Sequence, residues 1–100
     1  GMKELNSLIP YKDGEISIQG SEFHYCHPKN DKGPYSAFEV AVFDKGGNRV
    51  KEDLFMEDAD DKNVPDPVYG WVTVSTLVRA LEKDGYNALN IIGILKRVGN

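Results

Sequence analysis

The sequence contains a single cysteine, Cys26, so it cannot form an internal disulfide. It also lacks a long apolar run: its longest, residues 91–95, has five residues, whereas a membrane-spanning helix needs about 20. No basic start followed by an apolar stretch and a small-residue cleavage site is visible, as a secretory signal would require. We therefore expect a protein of a reducing, cytoplasmic compartment without a membrane partner.

A strong charge of one sign is missing as well. The formal net charge is −4, and residues 52–66 alone contribute −6, which leaves +2 for the rest of the chain. A duplex-binding protein needs a dense basic face, so this balance argues against nucleic acid as a partner. With 40% hydrophobic and 28% charged residues, the chain of 100 residues has the composition and length of one globular domain, and we predict a single domain over residues 1–100.

Alternation of apolar and polar residues predicts most of a sheet. It occurs around Ile16 and Ile18, around Phe23 and Tyr25, and over residues 35–43, 49–55 and 68–72. Between the third and fourth of these segments, residues 44–48 contain two glycines and read as a hairpin loop. The pattern predicts an α+β fold with a mostly antiparallel sheet of four to five strands.

One helix is predicted clearly, at about residues 74–84. Four apolar residues recur at the spacing of one helix face: Val74, Leu77, Val78 and Leu81. Thr73 or Ser75 can cap the start, and Gly85 stands where a left-handed residue ends a helix. We expect this principal helix to pack on one face of the sheet.

The segment 88–98 permits two interpretations. Its β-branched residues favour a strand, and Gly93 is unfavourable inside a helix. Asn87 could instead cap a second helix that ends at Lys96, Arg97 and Gly99. We expect a strand, because a helix here would carry isoleucine or leucine almost all the way round.

Two further regions are predicted to be irregular. Residues 1–14 hold one small apolar cluster before a turn and are expected to form an N-terminal arm. Residues 52–67 are acidic and contain two prolines, so we expect a flexible surface loop. Three of its aspartates form a candidate docking surface for a basic protein partner: Asp58, Asp60 and Asp61. Trp71 is a further candidate, since with Tyr35 and Tyr69 it could either fill the core or anchor a partner, and the core is the simpler reading.

His24 and Cys26 are the candidate metal ligands. On a strand these two side chains would point to the same face about 7 Å apart, and two such ligands can share a zinc ion. Because a zinc site needs three or four ligands, acids such as Asp58 or Asp60 would have to complete it. The simpler reading is that both residues pack on the sheet without a ligand role and that no cofactor is bound.

DNA binding through residues 77–97 is a third hypothesis, since this stretch has the length of a helix-turn-helix with Gly85 in the turn. The second half has few cations before Lys96 and Arg97, which argues against a recognition helix.

The leading hypothesis is a non-catalytic binding or assembly domain that forms a homo-oligomer. No nucleophile, base and orienting group fall at a spacing that brings them together, which argues against an enzyme. One helix cannot cover a five-stranded sheet, so we expect an uncovered face to be available for self-association.

Overall fold

The computed structural model describes residues 3–56 and 67–100. Within these ranges the chain forms five strands and three helices: β1 (Ile9–Tyr11), β2 (Gly14–Gln19), β3 (Ala37–Phe43), β4 (Arg49–Val50), α1 (Asp53–Met56), β5 (Tyr69–Thr73), α2 (Val74–Lys83) and α3 (Ala88–Arg97). All strand pairs are antiparallel, which confirms the predicted α+β class and its sheet. The position of α2 confirms the principal helix.

Strand β3 lies at the centre of the sheet. Strand β2 pairs along one of its edges, with Ile18 opposite Val40, and β1 pairs with β2. The other edge of β3 is shared by β4 and β5, which pair with its two ends. The predicted loop at residues 44–48 joins β3 to β4 and contains Gly47 at a φ of +81°. The central position explains why the alternation along β3 is the clearest in the sequence.

The two faces of the sheet differ in polarity. Alternate residues of β3 on one face, Phe38, Val40 and Val42, are buried in a single apolar cluster that also contains residues of α2 and α3. The opposite face of β3 carries Ala37, Glu39, Ala41 and Phe43, of which Glu39 and Phe43 are partly exposed. Each buried valine or phenylalanine side chain stabilises the fold by about 1.5–3 kcal/mol, so this face fixes the register of the sheet.

Residues 88–98 form a helix, and the expectation of a strand was wrong. Asn87 caps it, since its side-chain oxygen accepts the backbone N–H of Asn90 at 2.8 Å. A buried stripe at helical spacing lies beneath it: Ile91, Ile94, Leu95 and Val98. Capping and packing along this stripe outweigh the lower helix propensity of isoleucine and glycine, which is worth under about 1 kcal/mol per residue.

Two other strand predictions need correction, and the structure adds detail to the predicted arm and loop. Residues 22–26 are not a strand, because the Ser21 side chain accepts the backbone N–H of Phe23 at 3.0 Å and favours a local turn. The strand predicted over residues 49–55 ends at Val50, and helix α1 follows it. The predicted N-terminal arm contains β1, which pairs with β2 through a two-residue turn. The predicted flexible loop begins inside α1, and its residues 57–66 lie outside the described part of the chain.

Two non-glycine residues of the described chain have a left-handed backbone. Lys12 lies in the β1–β2 turn at a φ of +53°, and Trp71 lies in β5 at +52°. Trp71 belongs to a β-bulge, because the register of β5 against β3 shifts between Phe38 and Val40. A left-handed conformation costs a residue with a side chain about 1–2 kcal/mol, so the fold holds both positions against strain.

Across both described ranges, the model contains no helix long and apolar enough to cross a membrane.

Candidate functional site

The bulge at Trp71 organises the first candidate site, an exposed aromatic pair. The rings of Tyr25 and Trp71 lie with their centroids 5.2 Å apart and their planes inclined at 33°. Both side chains stay about half exposed, at 52% and 49%. The backbone N–H of Trp71 donates to the carbonyl of Tyr25 at 2.9 Å, so the bulge ties the two residues together. We call this pair, together with Glu39, the aromatic patch.

Glu39 lies beside the pair on the polar face of β3. One carboxylate oxygen accepts the backbone N–H of Tyr25 at 3.3 Å, and the other lies 3.8 Å from Nε2 of His24. Arg49 of the neighbouring strand β4 pairs in register with Phe43 and not with Glu39. Within the described ranges the carboxylate therefore has no lysine or arginine partner at salt-bridge distance.

The structure places the two candidate zinc ligands in a turn rather than on a strand. His24 Nδ1 lies 2.6 Å from the Ser21 hydroxyl. Cys26 is 2% exposed, and its thiol lies 3.2 Å from the Ser21 carbonyl and 3.4 Å from that of Pro28. In the described part of the chain no group of three histidine, cysteine or acidic residues could hold a metal ion. Zinc binding with a further acid stays a prediction.

The remaining partner-binding candidates fall in two groups. Asp58, Asp60 and Asp61 lie outside the described residues. Trp71 lies on the surface, apart from two aromatic pairs of the core. Tyr35 packs on Phe38 and Tyr69 packs on Phe55, and all four of these rings are buried or belong to the core cluster.

A second candidate site is a polar cleft of about 580 Å³ between the β1–β2 turn, α1 and the end of α2. The carboxylate of Glu52 is at its base: it accepts the hydroxyl of Tyr11 and lies 3.0 Å from Nζ of Lys12. The backbone N–H of the strained Lys12 donates to the Asp84 carboxylate at 3.0 Å. Glu52 is thus a buried acid that is paired and hydrogen-bonded, the condition under which burial of a carboxylate is tolerated.

Burial and the neighbouring acids fix the protonation of the tyrosines around this cleft. Burial, the hydrogen bond to Glu52 and the charge of Glu52 all raise the pKa of Tyr11 far above its usual range. Burial raises the pKa of Tyr69, whose hydroxyl accepts the backbone N–H of Glu52 at 3.0 Å. Both phenols therefore stay neutral, and Tyr11 remains a donor.

The third candidate is an apolar groove of about 590 Å³ between α2 and α3. Val78 of α2 and Ile91, Ile92 and Leu95 of α3 supply its apolar lining, with Glu82 at its rim. Next to it, Leu89 is 79% exposed and Ile92 is 49% exposed. These side chains lie on the side of α3 that faces away from its buried stripe.

Sequence reasoning missed two of these sites. It did not find Tyr11, Lys12 and Glu52, because they converge from segments forty residues apart along the chain. It also missed the outer face of α3, because the segment was read as a strand. The signal was present, since Leu89, Ile92, Gly93 and Lys96 repeat at i, i+3, i+4 and i+7.

Comparisons of the chain with protein-family models, with curated proteins and with solved structures gave no match.

Proposed function

We propose that this chain is a non-catalytic binding domain that assembles with a second copy of itself through the outer face of α3. The observation that carries the proposal is a second apolar stripe on that helix. It consists of Leu89, Ile92 and Gly93 and continues to Lys96, and we call these four residues the outer stripe.

The fold itself does not need the outer stripe. The buried stripe of α3 already packs in the core, with Ile91 at 4% and Ile94 at 5% exposure. Leu89 and Ile92 therefore expose apolar surface to water. A helix that only packed against the core would carry polar residues at these positions. Neighbouring exposed apolar residues beside a groove are typical of a protein-interaction surface.

Gly93 supports close approach of another helix. Within the described chain, nothing outside its own helix lies within 4 Å of the position that a Cβ atom would take there. Because glycine costs a helix interior about 1 kcal/mol relative to alanine, an open site offers no internal reason for it. A second helix crossing at Gly93 would use the missing side chain, and its neighbours Leu89 and Ile92 would pack around the crossing.

Two opposite charges near the groove favour a second copy as the occupant. Glu82 lines the groove together with Ala88 at the start of α3. Lys96 lies outside this lining, about 12 Å from Ala88 along the helix at 1.5 Å per residue. In a two-fold arrangement with the two α3 helices antiparallel, Lys96 of each copy comes next to Glu82 of the other. The same surface is thereby complementary to itself, as an isologous dimer requires.

The test is the molar mass in solution, measured by sedimentation velocity over a range of protein concentrations. The wild type is expected to shift towards a dimer as its concentration rises, and Ile92→Glu is expected to remain monomeric. Asn90→Glu is the matched control: it adds the same charge to the same helix turn, about 160° away around the axis, and should leave the dimer intact. A wild type that stays monomeric at every concentration would overturn the proposal.

The antiparallel arrangement has its own test. Glu82→Lys and Lys96→Glu should each weaken the dimer, because each places like charges together across the interface. Mixing the two single variants, or combining both changes in one chain, should restore association. Equal weakening in the double variant would contradict this geometry even if the chain does dimerise.

A reducing, cytoplasmic location belongs to the same proposal. It is supported by Cys26, which is a free and buried thiol, since such a residue needs no oxidising compartment.

A further inference from the structure

We propose that the aromatic patch of Tyr25, Trp71 and Glu39 binds the guanidinium group of an arginine side chain presented by a basic protein partner. This site lies on the polar face of the sheet and is independent of self-association through α3.

The backbone at Trp71 is the first observation. The fold holds this residue in a left-handed conformation, at a φ of +52°, and yet leaves half of the indole in water. A strained residue persists only where its surroundings impose it, and such residues cluster at functional sites. Large aromatic side chains that combine exposure with a fixed position are the usual anchors of protein interfaces.

The second observation is a carboxylate without a permanent cation. Glu39 is 20% exposed and receives only the backbone N–H of Tyr25 and a 3.8 Å approach of His24 among the described groups. The Glu39 carboxylate lies beside the ring pair, because Tyr25 contacts both Glu39 and Trp71. The backbone N–H of Tyr25 donates to Glu39, and its carbonyl accepts the backbone N–H of Trp71. The register pairs Phe38 with Val72 and Val40 with Tyr69, so the bulged residues 70–71 lie opposite Glu39. A guanidinium on the indole therefore approaches this carboxylate.

The third observation is that the ring pair already attracts a cation. Nζ of Lys29 lies 5.5 Å from the centroid of the Tyr25 ring, within the distance of a cation–π contact. An exposed tryptophan ring binds cations more strongly than a tyrosine ring does. Arginine fits the combination better than lysine, because its planar guanidinium stacks on an aromatic face and still donates in its own plane to a carboxylate.

Trp71 provides the measurement, because it is the single tryptophan in the sequence and its fluorescence reports on the patch alone. The probe is acetyl-arginine amide, compared at constant ionic strength with its neutral analogue acetyl-citrulline amide and with acetyl-lysine amide. We expect a saturable change with arginine, a weaker one with lysine and none with citrulline. Equal responses to arginine and citrulline would overturn the proposal, since they would show that charge plays no part.

Two variants locate the binding. Glu39→Gln should weaken arginine binding by about fivefold, the upper range for an exposed ion pair. Glu15→Gln is the control, because it removes a carboxylate from the same face of the sheet, opposite Phe43, and should have no effect. If the two variants bind arginine equally well, the assignment of Glu39 is wrong.

Trp71→Gly separates the ring from the fold. Glycine accepts the left-handed backbone, so we expect the variant to remain folded, and nuclear magnetic resonance shifts of the Tyr25 and Glu39 amides replace the lost fluorescence signal. Arginine should no longer shift these amides. If it shifts them as in the wild type, the indole is not the binding surface. If the variant unfolds, Trp71→Asn gives the same comparison, because asparagine tolerates the left-handed backbone and has no ring.

Discussion

Helices α2 and α3 are both ten residues long, follow each other directly and share one core, but they differ on their outer sides. Outside its buried face, α2 presents Arg79, Glu82 and Lys83 to solvent. The exposed side of α3 instead carries Leu89, Ile92 and Gly93 before its terminal Lys96 and Arg97. Each helix is capped by a polar residue, Thr73 or Asn87, so the difference lies in the surface and not in how the helices are formed.

The comparison separates a helix with one apolar face from a helix with two. An amphipathic helix with a charged outer side, such as α2, is complete when its inner face is buried. A helix with apolar residues on both sides, such as α3, has one face more than the monomer uses. Because the two helices share the same core and the same length, each can act as the internal control for the other.

The largest expected difference is between inner and outer leucines. Leu77 of α2 is fully buried, so Leu77→Ala should reduce the free energy of unfolding by about 2–5 kcal/mol through lost transfer energy and a residual cavity. Leu89→Ala should change it by less than about 0.5 kcal/mol in the monomer, because Leu89 is 79% exposed. Urea unfolding at low protein concentration measures both.

The stability of Leu89→Ala at high protein concentration tests the dimer interface. If Leu89 lies in a dimer interface, Leu89→Ala should become destabilising relative to the wild type at high concentration, since association stabilises only the folded state. A difference that does not depend on concentration would remove the outer stripe from the interface.

The next difference concerns two tyrosine hydroxyls that tie the helical layer to the β1–β2 hairpin. Tyr11 donates to the buried Glu52 just before α1, and Tyr86, in the loop between α2 and α3, donates to the carbonyl of Pro10. Tyr11→Phe should lower the free energy of unfolding by about 1.5–3 kcal/mol, the range for a hydrogen bond to a charged group. Tyr86→Phe should lower it by about 0.5–1.5 kcal/mol, because its acceptor is neutral. Both are measured by urea unfolding near neutral pH.

The same pair predicts how stability depends on pH. Burial raises the pKa of both tyrosines in the folded protein, whereas in the unfolded chain they titrate near the usual value of about 10. Above that pH the unfolded state releases protons that the folded state retains, so stability is complete below about pH 10 and falls as the pH rises further. Tyr11→Phe should reduce this alkaline loss more than Tyr86→Phe. An unchanged slope in Tyr11→Phe would show that its hydroxyl does not remain protonated in the fold.

Local patterns predicted some elements well and others poorly. Strand β3 and helix α2 followed from periodicity and caps, because each is long enough for packing on one face to dominate its sequence. Helix α3 was misread because its residues supply two faces, so the apolar positions cover most of the circumference and the periodicity weakens. The cap residue Asn87 and the stop signal at Gly99 carried the correct information and should have received more weight than β-branching.

The sites were less predictable than the fold, for a physical reason. Trp71 was identified as a partner-binding candidate, but its neighbours Glu39 and Tyr25 were not. The bulge and the turn at Ser21 bring these residues together, and neither feature has a strong sequence signal. The polar cleft depends on the long-range hydrogen bond between Tyr11 and Glu52. Local sequence patterns do not predict contacts between segments so far apart in the chain.

The smallest but most specific difference is expected between two glycines. Gly85, at a φ of +97°, ends α2, and Gly85→Ala should destabilise the fold by about 1–2 kcal/mol because a side chain is strained there. Gly93 is inside α3 in an open position, so Gly93→Ala should stabilise the monomer by about 0.5–1 kcal/mol. In the dimer the added methyl group would separate the crossing helices, so the same variant should associate more weakly while unfolding at higher urea concentration. A protein that gains monomer stability and loses affinity through one methyl group shows that glycine is required by the partner and not by the fold. If Gly93→Ala strengthens both, the helix crossing lies elsewhere on α3 and the outer side of the helix differs from α2 for another reason.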